Sequence, residues 1–143
     1  MPVLDTEVLF GLNPKDRRHK AALAKLKDLR EKSKKIMAPD AAVSEFQIVL
    51  RGRGMRGAVV RTTMLALHGA LQLNGVEEIK TIDSSLLAAQ SGIEEMYRLS
   101  YFDSLMAASA LSLDGEIVSD DQIFDLIREI KRTNLTLGAR SHL

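Results

Sequence analysis

Four carboxylates in apolar surroundings are the residues of this sequence best suited to chemistry. Asp5 ends the apolar run "PVLD", and Asp103 is the one charged residue of "YFDSLMAASALSL". Glu45 has only apolar neighbours one helical turn away, and Asp121, with Asp120 beside it, follows the apolar run "EIV". Carboxylates brought together repel and raise one another's pKa unless cations neutralise them. The pattern predicts a site for one or two Mg²⁺ or Mn²⁺ ions.

Each of these carboxylates also has a purely structural explanation. Asp5 could be a turn residue at a strand end, and Asp103 and Asp121 could cap helices. Glu45 could pair with an arginine from elsewhere in the chain. These explanations require four unrelated roles, so one shared site is the more economical interpretation.

The remaining composition restricts the chemistry further. The chain has no cysteine, which excludes disulfides, thiol catalysis and thiolate zinc sites. The three histidines, His19, His68 and His142, show no ligand spacing. A bound metal would therefore have oxygen ligands, which favours magnesium or manganese over zinc.

Charge is distributed unevenly along the chain. Residues 15–61 hold 14 basic and 5 acidic side chains, whereas the rest of the chain holds 6 basic and 14 acidic ones. This asymmetry predicts a phosphate-bearing partner, although solvated helix surfaces would have the same composition. Arg51, Arg53 and Arg56 in "RGRGMRG" are candidate nucleic-acid contacts; the same stretch could be a docking point for an inhibitory partner or a mobile helix connection.

Short apolar runs alternate with helical patterns, which predicts an α/β fold with a parallel sheet and helices on both faces. A length of 143 residues suits a single domain, residues 1–143. The predicted strands end near Asp5 and Pro39 and include "EEIKTIDSS", "EIVSDD" and "TNLTL". The predicted helices cover 15–35, 41–50 with Asp40 as N-cap, 58–73, 86–100, a helix headed by Asp103 that ends at Asp114 and Gly115, and 122–132.

No apolar segment is long enough to span a membrane, and the N-terminus lacks the pattern of a signal peptide. We therefore expect a cytoplasmic protein that does not associate with a membrane.

Four segments, "VLDTEVLF", "VSEFQIVL", "YFDSLMAASAL" and "IVSDDQIFD", together resemble a PIN domain, the nuclease fold that includes toxins of the VapBC class. They occur in the family's order, and the resemblance covers essentially the whole chain. It implies a three-layer α/β/α sandwich with a short parallel sheet.

The resemblance also implies a set of catalytic, metal-binding acids: Asp5, Glu45, Asp103 and Asp121. Asp121 is preferred over Asp120 because the family shows Ser or Thr, any residue, then Asp, here Ser119 to Asp121. Asp120, Ser119 and Thr6 are secondary candidates. Glu7 departs from the family, which commonly has Asn or Ser at that position; it could tune metal affinity or face away.

The function implied is a metal-dependent endoribonuclease acting on single-stranded RNA, and the toxin of a toxin–antitoxin pair with an antitoxin as partner. A solitary RNA-processing nuclease and a non-catalytic binding module remain alternatives. A receiver-type phosphotransfer switch lacks its adjacent acidic pair here, and a sugar phosphatase lacks its Asp-x-Asp. The resemblance further implies a homodimer, for which "RTTMLALHGALQL" could supply the interface or could instead belong to the core.

Overall fold

A parallel sheet forms the centre of the molecule. The computed structural model describes residues 1–136, and in this part of the chain the sheet has five strands, all parallel. The strands are β1 (Val3–Leu4), β2 (Ile36–Pro39), β3 (Val76–Ile79), β4 (Glu116–Val118) and β5 (Lys131–Thr133). The helices are α1 (Thr6–Gly11), α2 (His19–Glu31), α3 (Asp40–Gly52), α4 (Gly57–Leu73), α5 (Ser84–Tyr97) and α6 (Tyr101–Leu111). The predicted three-layer α/β/α fold is confirmed.

The strand order places β1 in the middle of the sheet. The order is β3-β2-β1-β4-β5, so the chain moves outward from β1 to β3 and then returns across β1 to form β4. Leu4 pairs with Val118, which brings the carboxyl ends of β1 and β4 together. In open parallel sheets, the point where the strand order reverses is the usual place for a ligand crevice.

The central strands are short but fully buried. Val3, Leu4, Ile117 and Val118 have at most 1% of their surface exposed, because helices cover the sheet on both sides. From Ser104 to Ala110 every residue of α6 is buried. None of the helices in residues 1–136 is long and apolar enough to cross a membrane.

Several predicted elements agree closely with the structure. The helices predicted at 41–50 and 58–73 correspond to α3 and α4, and the helix predicted at 15–35 is shorter, as α2. Asp83 caps α5 by accepting a hydrogen bond from the Leu86 backbone, as the Asp/Ser signal indicated. Asp40 was predicted to precede α3; instead it begins that helix, and its carboxylate also accepts hydrogen bonds from Thr81.

Helix α1 was missed by the sequence analysis. The predicted strand ends near Asp5, and the apolar residues that follow it form a six-residue helix. Asp5 has extended backbone angles, and its carboxylate accepts a hydrogen bond from the Thr6 backbone, so the strand ends where the helix begins. The side chains of Thr6, Val8 and Leu9 are then buried on one side of α1.

The helix predicted at 122–132 is wrong. A 3₁₀ turn covers Gln122–Leu126, and a second turn at 128–129 follows before the chain enters β5. Phe124, Ile127 and Ile130 are buried at a spacing that also fits a helix, but pairing of Lys131–Thr133 with β4 prevails. The strand predicted as "TNLTL" overlaps β5 only at Thr133, and Leu137 lies outside the described residues.

Gly115 should be indispensable for the turn from α6 into β4. It has φ +82°, and a Cβ atom there would lie 2.7 Å from the Glu129 carbonyl oxygen. We expect Gly115→Ala to reduce the free energy of unfolding by about 2 kcal/mol or more, measured by urea denaturation. Gly92→Ala is the matched control, because Gly92 lies inside α5 with nothing near its Cβ position. That variant should gain about 0.5–1 kcal/mol in the free energy of unfolding, and equal effects at both sites would show that Gly115 is not required for the turn.

Candidate active site

Asp5 lies where the strand order reverses. Its side chain accepts hydrogen bonds from the Thr6 backbone at 2.9 Å and from the Ser119 hydroxyl at 2.6 Å. Ser119 directly follows β4 and is fully buried, so this second bond joins the ends of the two central strands. Burial is the main reason why the pKa of Asp5 rises to about 7.

Glu45 approaches Asp5 from α3. Its Oε1 atom accepts a hydrogen bond from the hydroxyl of Thr6, the first residue of α1. Burial raises the pKa of the Glu45 carboxyl, and the nearby charge of Asp103 raises it further. Among residues 1–136, the arginine partner considered as an alternative for Glu45 is not found: no ion pair joins this carboxylate to a basic side chain.

Asp103 lies in the first turn of α6, but it is not the cap of that helix. Ser100 is the N-cap, and its hydroxyl accepts a hydrogen bond from the Asp103 backbone. The Asp103 carboxylate is therefore not needed for capping. Its pKa is raised by burial and by the charge of Asp121, against a lowering effect of Ser100.

The two adjacent acids after β4 have different surroundings. Asp120 accepts hydrogen bonds from the backbones of Leu135 and Thr136 and from the Thr136 hydroxyl. Asp121 is exposed, caps the 3₁₀ turn through Ile123, and acts electrostatically on Asp103. Asp120 thus holds the C-terminal part of the described chain, whereas Asp121 belongs with the other acids.

The four acids form a chain of neighbours at the carboxyl edge of the sheet. Glu45 raises the pKa of Asp5, and Asp103 raises that of Glu45. Asp121 in turn raises the pKa of Asp103. Within residues 1–136 no lysine or arginine offsets the shifts at Asp5, Glu45 and Asp103, whereas the charge of Asp121 interacts with Arg132.

The donor set is chemically suited to a hard divalent cation. All the side-chain donors are oxygen atoms, and their charge is unfavourable without a positive partner. As the side chains stand, no three His, Asp or Glu residues of the described part of the chain are close enough together to hold a metal ion. Binding would therefore require side-chain movements.

Glu7 is a part of this region whose role the sequence left open. It does not face away: its Oε1 atom accepts a hydrogen bond from the Asp120 backbone and lies 3.3 Å from the Ser119 hydroxyl. Its charge also contributes to the raised pKa of Asp5. The departure of Glu7 from the family pattern was the only sign in the sequence of a role for this residue. Its hydrogen-bond partners lie more than 110 positions away along the chain.

The three candidate nucleic-acid-binding arginines are not equivalent. Arg51 is in the last turn of α3, and Arg53 and Arg56 lie in the connection to α4; all three are exposed. The guanidinium of Arg53 lies 4.7 Å from the centre of the Phe10 ring, which stacks on Phe46 beside Glu45. Arg53 is therefore the one that a cation–π contact holds beside α1.

The sequence matches the family model of the PIN domain over residues 3–130. The chain belongs to the PIN domain family. No curated protein gives a significant match to this sequence. PIN nucleases generally use divalent metal ions, which agrees with the oxygen donors at the sheet edge.

Solved structures of PIN proteins share the fold of this chain at low sequence identity. One is a chain of VapBC2 from Rickettsia felis bound to a promoter DNA fragment, with 16% identity, a TM-score of 0.68, and coverage of 92% of this chain and 96% of that one. A chain of FitAcB from Neisseria gonorrhoeae has 15% identity, a TM-score of 0.60, and coverage of 94% and 98%. VapC20 from Mycobacterium tuberculosis, a toxin that cleaves the sarcin–ricin loop, has 17% identity, a TM-score of 0.59, and coverage of 88% and 94%. These similarities establish the fold.

The raised pKa of Asp5 should make the metal-free protein more stable in acid. The folded state binds the Asp5 proton more tightly than the unfolded chain, whose carboxyl has the ordinary pKa of 3.8. The free energy of unfolding should therefore fall as the pH rises from 3.8 to about 7, and level off above that. Asp5→Asn should remove this part of the slope and be more stable than wild type at pH 8 in EDTA, by on the order of 3 kcal/mol.

Urea denaturation between pH 4 and 8 measures this effect. Any slope left in Asp5→Asn would belong to Glu45 and Asp103, whose pKa values are also raised. Glu31→Gln, at the exposed end of α2, controls for the loss of one carboxylate. If Asp5→Asn keeps the wild-type slope, Asp5 does not have the pKa described.

Proposed function

We propose that this protein is a metal-dependent endoribonuclease that hydrolyses phosphodiester bonds in single-stranded RNA, and that it is the toxin of a toxin–antitoxin pair. The observation that carries this proposal is the chain of four acids at the carboxyl edge of the sheet. Burial raises the pKa values of Asp5, Glu45 and Asp103, repulsion between neighbouring acids raises them further, and a phosphate substrate would add more negative charge. Divalent cations would neutralise the charge of the acids and that of the phosphate.

Each acid has a distinct part in the proposed reaction. Asp5 and Asp103 are the principal ligands of Mg²⁺ or Mn²⁺, one or two ions in number. Glu45 is a further ligand or orients the attacking water, and Asp121 is a ligand of the second position. The bound cation supplies a water of lowered pKa and positive charge for the phosphate.

The protein's own contribution is to fix these carboxylates and to prepare the surface for the substrate. The Ser119 hydroxyl orients the Asp5 carboxylate, and the Thr6 hydroxyl orients Glu45. Arg53, and with it Arg51 and Arg56, would contact phosphates of the RNA on either side of the scissile bond. No side-chain nucleophile is required for this chemistry.

The comparisons support the choice of RNA and of a toxin. Structures with the same fold come from VapBC and FitAB complexes, and one is a toxin that cleaves the sarcin–ricin loop. We propose an antitoxin as the partner of this chain and the cytoplasm as its compartment. A solitary RNA-processing nuclease would use the same four acids. A non-catalytic binding module is less well supported because none of the four is missing.

Cleavage of labelled single-stranded RNA tests the proposal. Wild-type protein should cut with Mg²⁺ or Mn²⁺ and be inactive in EDTA. Asp103→Asn keeps the shape of the side chain and leaves the Ser100 cap intact, so it should fold normally. It and Asp121→Asn should each lose activity by about 100-fold or more.

Asp120→Asn is the matched control for these variants. Its side-chain oxygen can still accept the hydrogen bond from the Leu135 backbone. The Asp120 side chain is bonded to this C-terminal segment and not to the other acids. It should retain activity within about threefold of wild type, which would identify Asp121 as the fourth acid. Metal-independent cleavage, or a fully active Asp103→Asn, would refute the proposed reaction.

A homodimer formed through α4 is also part of the proposal. Val59 and Leu65 are 56% and 58% exposed on this helix, although Val60, Leu67 and Leu71 face the core. We expect wild-type protein to be a dimer by light scattering.

A charge on the exposed face of α4 should break this dimer. Leu65→Asp should give a monomer, because a charge in an apolar interface is costly to bury. Leu126→Asp, where the leucine is 56% exposed on the 3₁₀ turn, is the control and should leave the dimer intact. A dimer that survives Leu65→Asp uses another surface.

A further inference from the structure

Glu7 is a carboxylate of this region to which the proposed reaction gives no role. It lies in the first turn of α1, two residues after Asp5. Its Oε1 atom accepts the backbone N–H of Asp120 and is a second, more distant acceptor for the Ser119 hydroxyl. Glu7 therefore joins α1 to the segment that leaves β4.

The Ser119 hydroxyl connects the acids on both sides of the strand reversal. It donates its single proton to Asp5 at 2.6 Å, and its oxygen accepts the backbone N–H of Asp121 at 3.0 Å. The direction of this hydroxyl thus depends on the position of the backbone between Ser119 and Asp121. Glu7 binds the amide in the middle of that segment.

A basic side chain balances Glu7 from the opposite side. The Arg18 guanidinium lies 3.8 Å from Oε2 of Glu7 and is itself held by Asp16 at 3.0 Å. Oε1 is occupied by the Asp120 amide and Oε2 faces this guanidinium. Neither oxygen is thus directed toward Glu45 or Asp103, which argues against Glu7 as an additional metal ligand.

We infer that Glu7 is a positioning residue, which fixes the Ser119–Asp121 backbone so that the Ser119 hydroxyl stays on Asp5 and Asp121 stays with the other acids. The consequence for metal affinity rests on the proposed function. The consequence for the geometry does not, because it concerns the metal-free protein.

Two variants separate positioning from a role of the charge. Glu7→Gln keeps an oxygen that can accept the Asp120 amide, whereas Glu7→Ala removes it. Binding of Mn²⁺ without RNA, followed by electron paramagnetic resonance, should weaken about tenfold in Glu7→Ala and stay within about threefold of wild type in Glu7→Gln. Glu31→Ala, an exposed glutamate at the end of α2, is the control for charge and should have no effect.

The metal-free geometry is read from amide resonances in NMR spectra. The Asp120 amide is hydrogen-bonded to a carboxylate, so its proton should move upfield in Glu7→Ala and only partly so in Glu7→Gln. The Asp121 amide should shift with it, because its acceptor is the Ser119 hydroxyl. Thermal unfolding of each variant shows whether it remains folded.

The outcomes distinguish this inference from the proposed function. If Glu7→Gln weakens Mn²⁺ binding as much as Glu7→Ala, the charge matters and the positioning role is overturned. Unchanged Asp120 and Asp121 amides in folded Glu7→Ala would overturn it as well. If wild type neither binds Mn²⁺ nor cuts RNA, the proposed function fails, and the amide shifts alone then decide whether Glu7 holds the segment.

Discussion

The hydrogen bond from Ser119 to Asp5 is the contact on which the site depends. It connects the ends of two neighbouring strands that are more than 110 residues apart in sequence. The Asp5 carboxylate also accepts the Thr6 backbone N–H, so one side chain ends β1, begins α1 and meets β4. Loss of this register would separate the first acid from the segment that contains Asp121.

The core around this bond has to hold charges that repel one another. Val3, Leu4, Ile117 and Val118 are buried at the ends of the two central strands, and burial of the Asp5 carboxyl is the main reason why its pKa rises. At Asp5 and Glu45 the side-chain hydrogen-bond donors are hydroxyl groups and not basic side chains: Ser119 donates to Asp5, and Thr6 donates to Glu45. A hydroxyl orients a carboxylate without neutralising it, so the negative charge remains available to a cation.

The sequence was sufficient to predict the fold class and the placement of acids at strand ends. Asp5 and Asp121 were located by the apolar runs before them, and Glu45 by its apolar neighbours, because these signals are local. The direction of Glu7 could not be predicted, since its partners Ser119 and Asp120 come from the far end of the chain. Helix α1 and strand β5 were misjudged for a related reason: segments of six and three residues are decided by contacts with distant elements.

A bend of the backbone at Asp120 explains why three consecutive residues have different partners. Asp121 has extended angles, φ −77° and ψ 112°, and its amide turns back to the Ser119 hydroxyl. The same hydroxyl donates to Asp5, so this bond keeps the Asp121 amide beside the first acid. Ser119 and Asp121 therefore lie with the acids, and Asp120 is directed to Leu135 and Thr136.

Arg132 donates to the Ser119 carbonyl, so the segment is held from the C-terminal side by Arg132 and from the α1 side by Glu7. The Ser-x-Asp spacing thus follows from backbone geometry, and substitution of the middle residue should cost stability before it costs chemistry.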